Sequence, residues 1–153
     1  MGIDAIAEST AASMSEGQMG ELLKAEGVGT LGLPTDDLPY LLPISFGFDG
    51  DATLYFVFLL FGSESRKETL VTEAGRAQFL VYRAESMYDW QSVSLTGRIT
   101  AVEEGEWDEL RSAMENAWHP NVFSSAHPMR GVRGYSFEID EWTGLQQRDV
   151  GGK

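Results

Sequence analysis

The sequence predicts a mainly β domain of the α+β class: about six antiparallel strands wrapped into a closed or split barrel, with helices between them. Three observations predict it. Apolar runs of strand length recur along the chain and are parted by turn residues such as Asp49-Gly50-Asp51. One run, residues 54–61, is apolar at every position, so both of its faces need cover. The 153 residues contain neither an internal repeat nor a linker, which bounds the chain to one domain.

Residues 1–13 are rich in Ala and Ser and are expected to be a flexible leader to a single domain over residues 14–153. Ser15 and Gln18 have the spacing of a capping box, opening a short helix to about Glu26 that buries Leu22 and Leu23 and stops at Gly27. Val28–Leu33 reads as a strand, followed by the turn Pro34-Thr35-Asp36-Asp37. Residues 38–48 form the second strand. Pro43 has no N–H to give a ladder, so it marks an edge, a bulge or a break there.

Asp49-Gly50-Asp51 is a hairpin turn into the third strand, residues 53–61. One face of that strand fills the barrel and the other needs a second layer. A helix could supply it, but a subunit partner is the more economical cover, so a homodimer is expected. Residues 63–74 read as a short helix, with Leu70, Val71 and Ala74 at helical spacing. Residues 76–83 and 88–102 are strands joined by an acidic turn around Glu85, the second alternating through Val93, Leu95 and Ile99. Residues 103–118 form the strongest helix, with Trp107, Leu110, Met114 and Trp118 on one stripe and acids in the first turn. A loop follows with His119-Pro120 and His127-Pro128, then a last strand over residues 132–140 and a polar tail.

Charge excludes several functions. Twenty-four acids against eleven bases give a net charge of −13, and three of the bases are lysines. Such a surface repels nucleic acid and anionic membranes. It also suits a salt-rich cytoplasm, where screening tolerates the self-repulsion, and halophily is the favoured reading. No apolar run is long enough for a membrane-spanning helix, and the first residues lack the pattern of a secretory signal. The absence of cysteine removes disulfides and thiolate chemistry and fits a cytoplasmic protein. His119 and His127 have no companion His or Cys, so no metal site is expected. No serine-hydrolase elbow, Walker loop or glycine-rich dinucleotide fingerprint is present. Gly27-Val28-Gly29 precedes a strand and fails the context such a fingerprint needs.

Three segments could carry chemistry. Ser65, Arg66 and Lys67 open the helix at residues 63–74. Cations at a helix N-terminus are unfavourable, and a bound phosphate would resolve the conflict by taking N–H groups, a hydroxyl and both cations. An ordinary capping box of Ser65 and Glu68 explains the same residues equally well. Trp90, Gln91, Ser92 and Val93 start a long strand and offer a ring, an amide and a hydroxyl suited to a planar heteroaromatic ligand. A strand that merely begins with a Trp and polar neighbours is the plainer reading. Ile44, Ser45 and Phe46 follow Pro43, where interrupted pairing frees backbone groups for a ligand.

In this order, GVGTLGL, LPISFGFD, LYFVF, SESRK, DWQSVSLTGR and GYSFEIDEWTG resemble the pyridoxamine-5'-phosphate-oxidase-like FMN-binding split barrels over roughly residues 20–145. The resemblance implies a six-stranded antiparallel split barrel with FMN in a cleft at the interface of a homodimer. It implies that Ser65, Arg66 and Lys67 bind the phosphate and that Ile44, Ser45 and Phe46 flank the isoalloxazine edge. Gln91, Ser92 and Val93, with Trp90 adjacent, would contribute from the long strand.

Two departures matter. Many relatives carry a histidine at the end of the third strand, where this chain has Val57-Phe58-Leu59-Leu60. The basic C-terminal residues with which true pyridoxamine phosphate oxidases bind substrate are replaced by a stretch from Glu141 to Gln147, so vitamin B6 oxidation is not expected. The resemblance implies a flavin-dependent oxidoreductase acting on a small molecule, with no catalytic side chain indicated because the cofactor carries the electron chemistry. A non-enzymatic flavin-binding or sensing module is the alternative. Related barrels also hold the deazaflavin F420 or haem, and haem would have His119 and His127 alone as axial ligands.

Overall fold

The computed structural model describes residues 11–59, 75–113 and 132–148. It is an antiparallel barrel of six strands with a short seventh on its margin. The strands are β1 Ala12–Ser13, β2 Val28–Leu33, β3 Tyr40–Phe48, β4 Thr53–Leu59, β5 Arg76–Ser86, β6 Asp89–Ala101 and β7 Val132–Gln147. Among the described residues two helices accompany them, α1 Glu16–Ala25 and α2 Trp107–Ala113, the latter entered through a 3-10 turn at Glu104–Glu106. The hydrogen-bonded order is β1-β7-β4-β3-β2-β5-β6, and β6 closes the barrel by pairing with β7.

The barrel is split along β3. Its first part pairs with β2, from Tyr40↔Leu33 to Ser45↔Val28, and its last three residues pair with β4, from Phe46↔Phe56 to Phe48↔Leu54. Pro43 lies in the first part, opposite Thr30. Among the described residues, the other edge of that part has no strand partner, as a missing N–H would favour.

Alternation decides what is inside. Ala77, Phe79 and Val81 of β5 and Val93, Leu95 and Ile99 of β6 are buried and line the interior with Leu31, Leu33, Leu54 and Phe56. Four phenylalanines form its centre: Phe79 lies 5.1 Å from Phe46, 5.1 Å from Phe56 and 6.4 Å from Phe137, ring centre to ring centre. Burying each such ring is worth about 1.5–3 kcal/mol, so this cluster is a main source of the fold's stability.

α1 plugs one end of the barrel with Met19, Leu22 and Leu23. Its capping box is formed as the sequence predicts: the Gln18 N–H donates to Ser15 Oγ at 3.1 Å and the Ser15 N–H to Gln18 Oε1 at 2.9 Å. The turn at Gly50 also forms, with φ at +89°, and Asp49 Oδ1 accepts the N–H groups of Asp51, Ala52 and Thr53.

Three expectations are corrected. The outer face of β4 at Tyr55 and Val57 is covered by the chain's own α2, through Trp107, Leu110 and Ala113. A helix therefore supplies the second layer there. The last strand does not end at Asp140 but runs to Gln147, pairing with β6 as far as Trp90. A bulge at Asp140, where Thr96 pairs with Glu141 and Gly97 with Ile139, resets the register and hides the alternation from a sequence reading. Ala12 and Ser13, expected in the leader, pair with Gln146 and Leu145 as β1. The helix expected at residues 63–74, the end of the one expected at 103–118 and the loop of the two histidines lie outside the described residues. Among the described residues, no helix is long and apolar enough to cross a membrane.

Candidate functional site

One wall of the barrel is open. β3, β2, β5 and β6 lie side by side, and the residues that point away from the core follow from the alternation. They are Leu41, Pro43 and Ser45 on β3, Val28, Thr30 and Gly32 on β2, Gln78, Leu80 and Tyr82 on β5, and Ser92, Ser94 and Thr96 on β6. Register brings them into rows. Ser45 pairs with Val28 and Tyr82 with Ser92, while Thr30 pairs with Leu80. Carried two residues on, that last pairing sets Val28 opposite Tyr82. One row thus runs Ser45, Val28, Tyr82, Ser92: two hydroxyls three strand spacings apart, about 14 Å, with an aliphatic and an aromatic side chain between them.

The wall is more apolar than a solvated sheet face. Leu41 is 65% exposed, Tyr82 61%, Val28 42% and Leu80 39%. A cleft of about 370 Å3 crosses it at Gly32, between Leu41 and Gln78, with Arg76 on its rim. A smaller hollow of about 260 Å3 adjoins it along Thr30, Leu80 and Ser94. Gly32 keeps this floor flat, since a Cβ there would meet Leu41 Cδ2 at 3.3 Å. A flat floor of aliphatic and aromatic groups with hydroxyls at its margins fits a planar heteroaromatic ring.

The residues expected at the site divide between the two sides of the sheet. Ser45, Ser92 and Trp90 are half-buried on the open wall, Trp90 opposite Ala84 and Gln147. Phe46 and Val93 are buried with their side chains in the core, and Ile44 packs against it. What these three offer a ligand is backbone, and the Phe46 N–H already donates to the Gly27 carbonyl at 3.0 Å. Gln91 also faces inward, where its Nε2 donates to Gln146 Oε1 at 3.0 Å and Gln146 Nε2 in turn to Gln18 Oε1 at 3.2 Å. This chain of amides ties β6 and β7 to the capping box of α1. It accounts for a buried glutamine by satisfaction of its polar atoms. Ser65, Arg66 and Lys67 lie outside the described residues.

The sequence reading passed over Val28, Leu41, Leu80 and Tyr82. A signal for two of them was present: β5 alternates correctly, yet its solvent-side positions include Leu80 and Tyr82, where a solvated face carries polar groups.

The opposite arrangement holds on the wall under α2. Tyr55 is 8% exposed, and burial first, then the carboxylates of Glu109, Asp49, Glu106 and Glu138, hold its phenol above the ordinary pKa of 10.0. Among the described residues, no group of three or more His, Asp or Glu side chains is placed to hold a metal ion.

The family model described as pyridoxamine 5'-phosphate oxidase matches residues 15–146. The chain belongs to this family. The match spans every described strand but β1, so the open wall and its rows are features of a family member's barrel. Solved structures agree on the fold. A FAD-binding protein from Mesorhizobium loti superposes with a TM-score of 0.69 at 20% identity, covering 89% of this chain and 97% of that one. A FAD and haem binding protein from Mycobacterium smegmatis gives 0.69 at 16% identity, over 92% of this chain and 74% of that one. A FAD binding protein from the same organism gives 0.64 at 18% identity, over 90% of this chain and 99% of that one. At such identities the likeness is one of fold. No curated protein matches the chain in sequence.

Proposed function

We propose that this family member is a flavoprotein that binds FMN on the open wall, in a cleft completed by a second copy of the chain. The observation that carries the reading is convergence. Ser45 on β3, and Trp90 and Ser92 on β6, stand on one face although the chain between them passes through β4 and β5. Four exposed apolar side chains share that face, and a second subunit would remove them from water. In this reading Arg66 and Lys67, with Ser65, hold the cofactor's phosphate. When bound, the flavin supplies the redox chemistry, and the chain's residues bind it, orient it and exclude water.

The activity we infer is that of a flavin-dependent oxidoreductase acting on a small molecule, in a salt-rich cytoplasm to which a charge of −13 is suited. A second reading places FAD in the same cleft, favoured by the description of three similar folds as FAD-binding proteins.

The visible spectrum of the protein purified in high salt, with the mass of the released ligand, tests this. A flavin spectrum with the mass of FMN supports the proposal, and the mass of FAD selects the second reading. A colourless protein that takes up neither flavin contradicts both and moves F420 or a cofactor-free role to the front. Replacing Arg66 and Lys67 together by Ala is expected to release the flavin and leave the fold intact. Unchanged flavin content in that variant would remove the phosphate assignment. Reduction by NADH or NADPH with reoxidation by an acceptor separates an enzyme from a sensing module.

A further inference from the structure

The cleft at Gly32 has two chemically different sides, and its edge carries a pair of arginines that the flavin reading does not use. We propose that this cleft binds a small carboxylic acid with an apolar body, its carboxylate held by Arg76 and Arg98.

Register builds the cleft in one row. Leu41 pairs with Gly32, Gly32 with Gln78, and Gln78 with Thr96. On one side of the Gly32 floor stand Leu41 and the prolines of the β2–β3 connection, Pro34 and Pro39. On the other stand Gln78, Thr96 and Arg76. Leu41 is 65% exposed, and a ring or short aliphatic chain laid on the floor would take it out of water. The volume of about 370 Å3 is that of a small-molecule site.

The polar side ends in two like charges. Arg76 pairs directly with Arg98 across β5 and β6, and like charges so placed destabilise a sheet. Asp140 offers one oxygen to both: its Oδ2 lies 3.9 Å from Arg76 and 4.0 Å from Arg98. Neither distance is that of a hydrogen bond, and the two side chains are 63% and 67% exposed. The guanidinium forks therefore keep N–H donors for a second acceptor, and a carboxylate matches their planar geometry. Arg98 also faces Glu138 across β7. With Asp140 and Glu138 beside the two arginines, little positive charge is left over. A single carboxylate suits that balance better than the dianion of a phosphate ester.

The acid and a flavin do not compete for the same row. Gln78 stands four residues from Tyr82 along β5, about 13 Å, so the cleft is clear of Ser45 and Ser92. The proposal thus stands whether or not a flavin binds there.

The test is an NMR titration of the full-length protein with benzoate, neutral benzamide and inorganic phosphate. Benzoate should bind saturably, with benzamide and phosphate each roughly tenfold weaker or more. Arg76→Gln should weaken benzoate roughly tenfold. Arg76→Lys should restore part of that loss, because an ammonium keeps the charge without the fork. Arg76 is exposed, so neither change disturbs the core. Arg148→Gln removes the same charge at the other end of the wall, beside Asp89, and should leave binding unchanged. Benzamide binding as tightly as benzoate would overturn the proposal. So would displacement of benzoate by an equal concentration of phosphate, or an Arg76→Gln variant that binds as the unaltered protein does.

Discussion

Two walls of this barrel face outward with apolar residues, and the chain treats them differently. On β4, Tyr55 and Val57 lie under α2 and are nearly dry. On β2, β3 and β5, Val28, Leu41, Leu80 and Tyr82 stand in the open. The wall with the denser apolar sequence is the one the chain covers itself. The wall with the sparser pattern, broken by Gly32 and Thr30, is left free. A continuous apolar strand therefore signals that both faces are covered, and not who covers them. An alternating strand whose solvent-side positions are partly apolar is the better pointer to a surface that meets something else.

The largest expected effect lies on the covered wall. Leu110 is fully buried, so Leu110→Ala should cost about 2–5 kcal/mol in a denaturant titration. It should leave the subunit count unchanged. Loss of the dimer at equal folding would mean that α2 belongs to the interface, and the contrast between the walls would fail.

On the open wall the effects reverse. Leu41→Glu with Leu80→Glu should convert a dimer to a monomer by light scattering, because each charge would have to be buried unpaired. The isolated subunit should lose little stability, since both leucines are already exposed. A double variant that stays dimeric would place the partner elsewhere.

A smaller effect sharpens the description of the covered wall. Tyr55 has its pKa raised in the folded state, so the folded protein holds that proton more tightly than the unfolded chain. This contribution is fully present below pH 10 and is lost as pH rises through the folded value. As pH rises above 10, the unaltered protein should lose more stability than Tyr55→Phe. Parallel curves would show that the phenol is not held as described. Smallest of all, Ser92→Ala on the open wall should lower flavin affinity several-fold while shifting the unfolding free energy by less than about 0.5 kcal/mol.

The fold was legible where local chemistry dictates it. The Ser15–Gln18 box, the Gly50 turn and the alternation of β5 and β6 each announce themselves, because each rests on neighbours in sequence. The reach of β7 did not. Its last turn of alternation carries Gln146 inward, and a polar residue facing a core reads as tail until Gln91 and Gln18 are seen to satisfy it. The site was half legible for the same reason. Segments at residues 44–46 and 90–93 were singled out by residue type, but type does not tell which side of a sheet a side chain takes. Register settles it, putting Ser45 and Ser92 outside and Phe46 and Val93 inside. The exposed apolar residues between them come from β2 and β5, and only the pairing of strands brings them there.

The most direct test of the central claim is a crystal structure of the protein grown with FMN. The account predicts flavin density against Ser45, Ser92 and Trp90, between two copies that meet across β2, β3 and β5. Flavin seated on the wall under α2, or held by a subunit whose open wall faces solvent, would contradict it.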